Sequence, residues 1–272
     1  MCPNCRAFIT TKDRVCPYCD EPVAPRAIDV RSPKPILGGM IPHAQFVTVM
    51  ILLINFGLFA ATVLFSMNAG NADAFIGIDG RTLFEFGAKY RAAISLGQWW
   101  RLITAGFLHG GILHILMNSW VLFDLGAQVE EIFGAARMIV FYFVATFFGF
   151  LASTYWTSAL SVGASAGLFG LIGAMIALGV QHKSELGAAI RGMYVRWAIY
   201  GLLIGLLPGL HMDNAAHIGG LAAGFAVAYV AGIPKLVVNW KEKFWRFAAG
   251  ICVAITALAF LEMFLWLSAS QT

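Results

Sequence analysis

The sequence predicts an all-α polytopic membrane protein, and its composition and hydropathy both support this fold class. Of its 272 residues, 60% are hydrophobic and 12% are charged, whereas an ordinary soluble domain is about 45–50% apolar and about 25% charged. A soluble globule of this size could not cover so much apolar side chain with so little charge. This composition excludes a soluble enzyme, a DNA-binding domain and a disordered protein. The net charge of +4 is too small to indicate a nucleic-acid partner, so none is expected.

Seven apolar stretches are long enough to cross a hydrocarbon core, which takes about 20 residues. One long segment, Asn68–Leu108, separates the first two stretches, and the other connections are short. The long segment mixes charged and aromatic residues, including Trp99 and Trp100, and such residues favour the membrane interface. We therefore expect a structured interfacial loop there. The predicted spans are Val47–Met67, Ile112–Val129, Met138–Trp156, Ala164–Val180, Tyr194–Leu210, Ala215–Gly232 and Phe247–Leu267.

The distribution of Lys and Arg predicts the orientation of the chain. If the N-terminus is cytoplasmic, 14 of the 18 Lys and Arg residues lie at the inner side, before the first span or close to the inner connections. The other four lie in the long loop, where the charge rule is weakest. The prediction is a multi-pass protein of the cell (plasma) membrane, embedded in the lipid bilayer with its N-terminus inside and its C-terminus outside.

Polar residues at the start of three spans are candidates for function, because polar side chains inside apolar spans are costly. In the predicted topology the second, fourth and sixth spans all run from the outer to the inner side, so their first residues share one depth. The sequence places a serine, several imidazoles and a carboxamide at this depth. They are His109, His114 and Asn118 in FLHGGILHILMN, Ser165 in VGASAGLFG, and His217 in DNAAHIGGLAAG.

A serine paired with a histidine is the smallest unit for nucleophilic acyl transfer, since the hydroxyl needs a base to take its proton. Small residues let two membrane helices approach closely, and the spans of Ser165 and His217 both carry glycines four residues apart. We expect these glycines to form the contact that brings the two side chains together. The pairs are Gly163 with Gly167 and Gly220 with Gly224.

Two side chains of the second span are suited to stabilise an oxyanion. His114 and Asn118 are four residues apart and therefore share a helical face. Both can donate a hydrogen bond to developing negative charge, with the backbone N–H of Ser165 as a further donor. Asp213 stands four residues before His217 at a helix start, and is predicted to cap that helix rather than to complete a triad.

Four separated motifs resemble those of the rhomboid intramembrane serine proteases, and they occur in that family's order. They are a Trp100–Arg101 pair in the loop after the first span, HGGILHILMN, GASAG and AHIGGLAAG. The resemblance implies a six-helix protease core at 46–232, followed by a C-terminal loop and a seventh transmembrane helix at 233–272. One departure is visible, because Ala166 follows the serine where the family has glycine, and the backbone of alanine is less free.

The resemblance also implies a role for each candidate residue. Ser165 would be the nucleophile and His217 its general base, in a dyad that needs no catalytic cofactor or metal. The implied activity is endopeptidase cleavage of single-span transmembrane proteins near the outer leaflet. By the same resemblance His114 and Asn118 would line the oxyanion hole, His109 and Gly163 would support the site, and Glu130 would stabilise a helix.

Two other functions compete with this interpretation. A rhomboid-like protein that binds transmembrane helices without cutting them would be marked by loss of the serine or the histidine, and both are present. A seven-helix transporter or receptor predicts charged residues along a path at mid-membrane, whereas the polar set lies at one end of its helices. Of the acids within spans, Asp124 is expected to face the bundle interior, and Glu262 has no assigned role.

The N-terminal cysteines predict a structural zinc site. They form two Cys-x-x-Cys pairs, whose four thiolates can surround a tetrahedral Zn²⁺, and the reducing cytoplasm would keep the thiols free to bind it. We expect a zinc-ribbon-like segment at 1–24, joined to the core by an extended linker at 25–45. A redox-active or metal-free segment is the alternative. The four ligands would be Cys2, Cys5, Cys16 and Cys19.

Overall fold

The computed structural model describes residues 5, 7, 13, 15–20, 45–207, 212–234 and 240–269. Cys2, nearly all of the predicted linker and the last three residues of the predicted fifth span lie outside this described part. Regular structure in the described part is helical, apart from isolated bridges such as the antiparallel one between Lys89 and Ser161. The prediction of an all-α fold is confirmed.

The helices are numbered here in chain order. A 3-10 turn at Ala105–Phe107 precedes the fifth helix, and a π-helical segment at Leu122–Gly126 follows it. Their bounds are α1 Phe46–Asn68, α2 Gly80–Glu85, α3 Arg91–Ser95, α4 Arg101–Thr104, α5 Ile112–Val121, α6 Ala127–Trp156, α7 Ser165–Gln181, α8 Glu185–Ile204, α9 Asn214–Ala231 and α10 Trp240–Ala269.

Within the described residues, four helical stretches are long and apolar enough to cross a membrane, so the chain is an integral membrane protein. They are α1, α9, α10 and the 45-residue stretch Ile112–Trp156. That stretch is broken at Gly134, whose φ of 78° and ψ of 158° are not helical, and it therefore accounts for the predicted second and third spans. The predicted fourth span is the shorter apolar helix α7, and the fifth overlaps α8.

Two helices begin earlier than the sequence predicts. Helix α8 starts at Glu185 rather than Tyr194, because the hydroxyl of Ser184 caps it by accepting a hydrogen bond from the N–H of Gly187 (3.2 Å). Helix α10 starts at Trp240 rather than at the predicted Phe247. The charged residues in its first two turns predict a loop, but they are helical, and Glu242 among them binds Arg137 in the core.

Glu130 of α6 caps the first helix from a distance in sequence. Its two carboxylate oxygens accept hydrogen bonds from the N–H groups of Val47 and Thr48 (both 2.9 Å), and the second oxygen also accepts from the Thr48 hydroxyl (3.0 Å). These N–H groups have no partner within α1, because they belong to its first turn. The side chain of Gln45 at the N-cap makes no such bond, so Glu130 fixes the start of α1 against α6.

The loop between α1 and α5 is folded, as the sequence predicts. Asp79 caps α2, accepting hydrogen bonds from the N–H of Thr82 (2.9 Å) and from the hydroxyls of Thr82 and Ser66 (both 2.7 Å). Burial alone would raise the pKa of Asp79, but these hydrogen bonds outweigh it and lower the pKa to about 2. Arg101 is fully buried and donates to the carbonyl of Phe84 (2.6 Å).

Helix α10 is attached to the core near both of its ends. Near its start, Glu242 accepts two hydrogen bonds from the guanidinium of Arg137 in α6 (2.8 and 2.9 Å). Near its end, the ring of Trp266 packs edge-on against that of Phe84, and it lies 5.6 Å from the guanidinium carbon of Arg101. The two contacts fix both ends of α10 against the core.

Helices α7 and α9 approach most closely where glycines face backbone. A Cβ at Gly220 would overlap the carbonyl oxygen of Ala166, and a Cβ at Gly224 would overlap that of Gly170. Only the missing side chains allow the two helix backbones to come this near. The predicted role of the α9 glycines is thus confirmed.

The third helix at this junction is α6. A Cβ at Gly149 would lie 2.7 Å from the carbonyl oxygen of Ala216 in α9 and 2.9 Å from the Cβ of Ala166 in α7. Gly167 also packs against α6, and Gly163 precedes α7. The expectation that Gly163 and Gly167 face α9 is therefore wrong. Gly167 faces α6 instead, and Gly163 lies in the loop before α7.

Candidate functional site

Ser165 is the first residue of α7, and the N-terminus of this helix is uncapped. The N-cap residue Ala164 makes no side-chain hydrogen bond, and its carbonyl accepts from the N–H of Leu168 (3.0 Å). The N–H groups of the first turn have no acceptor within the helix, and together they favour negative charge. Ser165 is half-buried, so part of this residue is open to a ligand, whereas Ala166 and Gly167 after it are buried.

The hydroxyl of Ser165 and the imidazole of His217 meet across the α7–α9 contact. The Oγ of Ser165 lies 2.9 Å from Nε2 of His217, and Nδ1 of the same ring lies 3.2 Å from the side-chain oxygen of Asn214. Because a carboxamide oxygen only accepts, Nδ1 carries the proton and Nε2 is left to accept from the serine. This is the arrangement that a nucleophile and its base require.

Phe169, one helical turn after the serine, holds the imidazole ring in place. The rings of Phe169 and His217 are parallel to within 8°, with their centroids 4.3 Å apart. Sequence reasoning missed both Phe169 and Asn214. An aromatic residue in an apolar helix looks like any core residue, whereas Asn214 in DNAAH stands one turn before the histidine and could have been found.

Asp213 caps α9, as the sequence predicts. One carboxylate oxygen accepts a hydrogen bond from the N–H of Ala216 (3.0 Å), and the other accepts from the hydroxyl of Ser153 near the end of α6. Nδ1 of His217 faces Asn214 instead. Asp213 is therefore a helix cap here and not the third member of a triad.

Of the other candidate residues, Gly163 and His114 lie beside the serine. A Cβ at Gly163 would lie 2.8 Å from Nε2 of His114 and 3.5 Å from Oγ of Ser165, and the φ of Gly163 is 135°, a conformation that favours glycine. His109 is fully buried, with its ring centroid 5.1 Å from that of His114. Asn118 is buried and donates to the carbonyl of His114 (3.0 Å). The structure thus brings Gly163 and His114 to Ser165 and packs His109 against His114, whereas the hydrogen bond that Asn118 donates is within its own helix.

Two acids within helices lie apart from this cluster. Asp124 is exposed in the π-helical segment, where it accepts a hydrogen bond from the side chain of Gln128 (3.2 Å). The expectation that Asp124 faces the bundle interior is wrong, because the residue is exposed. Glu262 is half-buried on α10, and nothing in the structure explains it.

Three of the N-terminal cysteines belong to the described residues, and their sulfur atoms lie close together. Those of Cys5, Cys16 and Cys19 are all within 4.8 Å of one another, and those of Cys5 and Cys16 are 3.6 Å apart. Thiolates bound tetrahedrally at about 2.3 Å from one Zn²⁺ would be about 3.8 Å apart. These three residues could therefore bind a metal ion, while Cys2 lies outside the described residues.

Residues 96–234, which carry Ser165, His217 and the residues around them, match the family model of the rhomboid domain. The chain belongs to the rhomboid family. The match includes α4 to α9 and ends before α10 begins. The candidate site of this rhomboid chain therefore lies within the family's domain, whereas the cysteine cluster and α10 lie outside it.

Named relatives of the rhomboid chain come from a bacterium, a plant and Toxoplasma gondii. The Rhomboid protease GluP of Bacillus subtilis (strain 168) is 33% identical over 180 residues, which are 66% of this chain and 34% of that protein. RHOMBOID-like protein 6, mitochondrial, of Arabidopsis thaliana is 36% identical over 184 residues, or 65% of this chain and 58% of that protein. Rhomboid-like protease 3 of Toxoplasma gondii is 33% identical over 183 residues, or 66% and 70%. The chain thus spans between a third and three fifths of the first two relatives.

Proposed function

We propose that this rhomboid chain is an intramembrane serine endopeptidase that cleaves single-span transmembrane proteins, with Ser165 as nucleophile and His217 as general base. The observation that carries the proposal is the 2.9 Å approach of Oγ to Nε2 within a rhomboid domain. The names of two relatives, GluP and Rhomboid-like protease 3, include the word protease. They support the reaction class.

The reaction would proceed by acyl transfer. The Oγ of Ser165 attacks the scissile carbonyl carbon while its proton passes to Nε2 of His217. The C–N bond then breaks, and the same proton goes from Nε2 to the leaving amine, which yields an acyl-enzyme. A water molecule attacks the ester in the second half, with His217 again taking and returning the proton. Asn214 and Phe169 keep the imidazole in the tautomer and plane that both steps need.

Negative charge on the tetrahedral intermediate would be stabilised at the start of α7. The donors would be the backbone N–H of Ser165 and the side chains of His114 and Asn118, with His109 packed behind His114 and with Gly163 leaving room between them. Loss of one such donor typically costs about 10²- to 10³-fold in kcat. We expect a decrease of that size in His114→Ala and Asn118→Ala, measured as kcat on a cleaved substrate.

The site would lie near the outer leaflet of the cell membrane, with the N-terminus of the chain in the cytoplasm. The excess of Lys and Arg on the proposed inner side supports this orientation. Ser165 begins its helix rather than lying at its middle, which supports a site close to one membrane surface. Water would reach the acyl-enzyme from that side, and substrate helices would enter laterally from the lipid.

The test is cleavage of a generic single-span substrate by the purified protein in detergent, beside Ser165→Ala and His217→Ala. Matched controls are Ser268→Ala on α10 and His182→Ala, which change the same residue types at exposed positions. We expect product from the parent and both controls and none from the two dyad variants. Equal cleavage by Ser165→Ala would refute the proposal.

A fluorophosphonate probe separates the remaining outcomes, because it reacts with an activated serine and needs no substrate. Labelling of the parent at Ser165 without cleavage would mean that the wrong substrate was offered. A folded parent that neither cleaves nor labels would contradict the protease and would favour a rhomboid-like protein that binds transmembrane helices without cutting them.

We further propose that Cys5, Cys16 and Cys19, together with Cys2, bind one structural Zn²⁺. The 3.6 Å between the sulfurs of Cys5 and Cys16 supports this proposal, because it is close to the spacing of two ligands on one zinc ion. The purified protein is expected to contain one zinc per chain by elemental analysis, and Cys16→Ser to contain less than half of that. Cys252→Ser in α10 is the matched control, and equal zinc in all three proteins would refute the site.

A further inference from the structure

The segment that leads to Ser165 is held by the loop between α1 and α5. Residues 157–164, called here the 157–164 loop, connect α6 to α7. The N–H of Ser161 donates to the carbonyl of Lys89 (3.1 Å), and the N–H of Lys89 donates to the carbonyl of Ser161 (3.0 Å). The N–H of Gly163 donates to the carbonyl of Ala105 (2.9 Å). The backbone just before Ser165 is therefore paired to a segment far away in sequence.

The side chain of Lys89 adds two further bonds to the same loop. Its ammonium donates to the carbonyl of Thr157 (2.8 Å) and to that of Ala159 (3.0 Å). Lys89 has no exposed surface, so these carbonyls replace the water that a lysine normally keeps. Burial lowers the pKa of Lys89, and the nearby Asp213 carboxylate opposes this shift. Release of these carbonyls would leave a buried charge without partners, which costs free energy. Lys89 therefore holds the loop in place.

Arg91 provides a comparison two residues along the chain. It donates to the carbonyls of Thr154 and Tyr155 (2.5 and 2.7 Å), and both belong to α6. Arg91 thus attaches the interfacial loop to the end of a helix, whereas Lys89 attaches it to the irregular segment before Ser165. The two cations differ in what they hold, although they lie side by side.

We propose that Lys89 is a positioning residue that holds the 157–164 loop so that Ser165 stays in reach of His217. This inference rests on the proposed protease function, and it adds to that function a residue that touches neither the substrate nor the reacting atoms. The loop carries Gly163, beside which both His114 and Ser165 lie. Movement of this loop would therefore displace the nucleophile and the proposed oxyanion donor relative to each other, while α9 and His217 stay in place.

The test compares Lys89→Met with Arg91→Met, since both remove a cation and leave an unbranched apolar chain. Two quantities are measured beside Tm, namely amide hydrogen exchange of Ser161 and Gly163 and the rate of fluorophosphonate labelling at Ser165. In Lys89→Met, loss of a charged hydrogen-bond donor is expected to raise the hydrogen-exchange rate of both amides by about tenfold or more. The rate of labelling is expected to fall by a similar factor. Arg91→Met is expected to stay within about twofold of the parent in both.

Each outcome decides the matter. Parental exchange and labelling in a folded Lys89→Met protein would overturn the inference, as would equal changes in the two variants. If Lys89→Met does not fold, Lys89→Gln takes its place. Its shorter, uncharged side chain cannot make both bonds of the ammonium, so the same two changes are expected at a smaller size, and their absence would overturn the inference. If neither folds while Arg91→Met does, Lys89 serves the whole fold and the positioning role is wrong. Amide exchange needs no active serine, so a folded parent that neither cleaves nor labels contradicts the protease proposal and leaves this readout unaffected.

Discussion

Replacement of Gly149 by alanine is expected to slow the reaction of Ser165 in a protein that still folds. Gly149 lies where α6 meets both α7 and α9, and its new Cβ would stand 2.7 Å from the carbonyl oxygen of Ala216 and 2.9 Å from the Cβ of Ala166. These two residues directly adjoin His217 and Ser165 in the sequence. The added methyl group would therefore push on both helices that hold the proposed dyad.

The size of this effect follows from the distances. Ordinary contacts of a Cβ begin at 3.4 Å, so the carbonyl oxygen must retreat by about 0.7 Å and the methyl group by about 0.5 Å. If the two displacements point in opposite directions, the 2.9 Å hydrogen bond between Oγ and Nε2 lengthens to at most about 4.1 Å and is lost. A misplacement of about 1 Å can cost about 100-fold in rate, and we expect a loss of about 10- to 100-fold. Overpacking of this kind costs about 1–3 kcal/mol of stability.

The assay is the rate of fluorophosphonate labelling at Ser165, with Tm measured on the same samples. Gly57→Ala in α1 and Gly250→Ala in α10 make the same chemical change where nothing lies within 4 Å of the new Cβ, and both are expected to label at the parental rate. A stable Gly149→Ala protein that labels within about twofold of the parent would refute the reasoning. So would an equal decrease in the two control variants.

Three further predictions concern the scaffold around the site. Glu130→Gln is expected to lower the free energy of unfolding by about 1–3 kcal/mol, because an amide N–H₂ would face the N–H groups of α1. An unchanged Tm in detergent would contradict the role of Glu130 as a cap. Glu242→Ala leaves Arg137 buried without this carboxylate and is expected to lower the free energy of unfolding by about 3–5 kcal/mol. Most of this loss is expected to be recovered when Arg137→Met is added. No recovery in a thermal-unfolding assay would argue against the pairing. Asp79→Asn is expected to lower Tm at pH 6 but much less near pH 2. With a folded pKa of about 2 and an unfolded value of about 3.9, the carboxylate stabilises the fold above pH 4 and loses this contribution as the pH falls towards 2. A Tm difference that stays constant over that range would contradict it.

Polar residues within apolar spans made the candidate site predictable from the sequence. Ser165, His217, His114 and Asn118 each interrupt a hydrophobic run, and polar groups are rare in such runs because they cost free energy there. Because these residues share one depth in the predicted topology, they are predicted to lie together, and Ser165, His217 and His114 do so in the structure. The cap at Asp213 was equally accessible, since Asp before a helical run has a local mechanism.

Features that depend on which helix faces which could not be predicted in this way. Phe169 stacks on the imidazole, but its residue type gives no sign of that contact in a helix full of apolar side chains. Gly167 packs against α6 rather than α9, because several faces of α7 carry small residues and spacing alone does not choose among them. The charged start of α10 predicts a loop, since its partner Arg137 lies in another helix and pairing across the bundle leaves no local pattern.

The bond between Arg137 and Glu242 also sets an order of assembly. The two residues are 105 positions apart, and Glu242 follows the rhomboid domain at 96–234. The whole domain is therefore synthesised before Glu242 is. Until α10 enters the bilayer, the guanidinium lacks this counter-charge, and burial of Arg137 within the bundle costs free energy. The rhomboid domain thus carries a buried cation whose carboxylate partner is synthesised after the domain, in a helix that lies outside it.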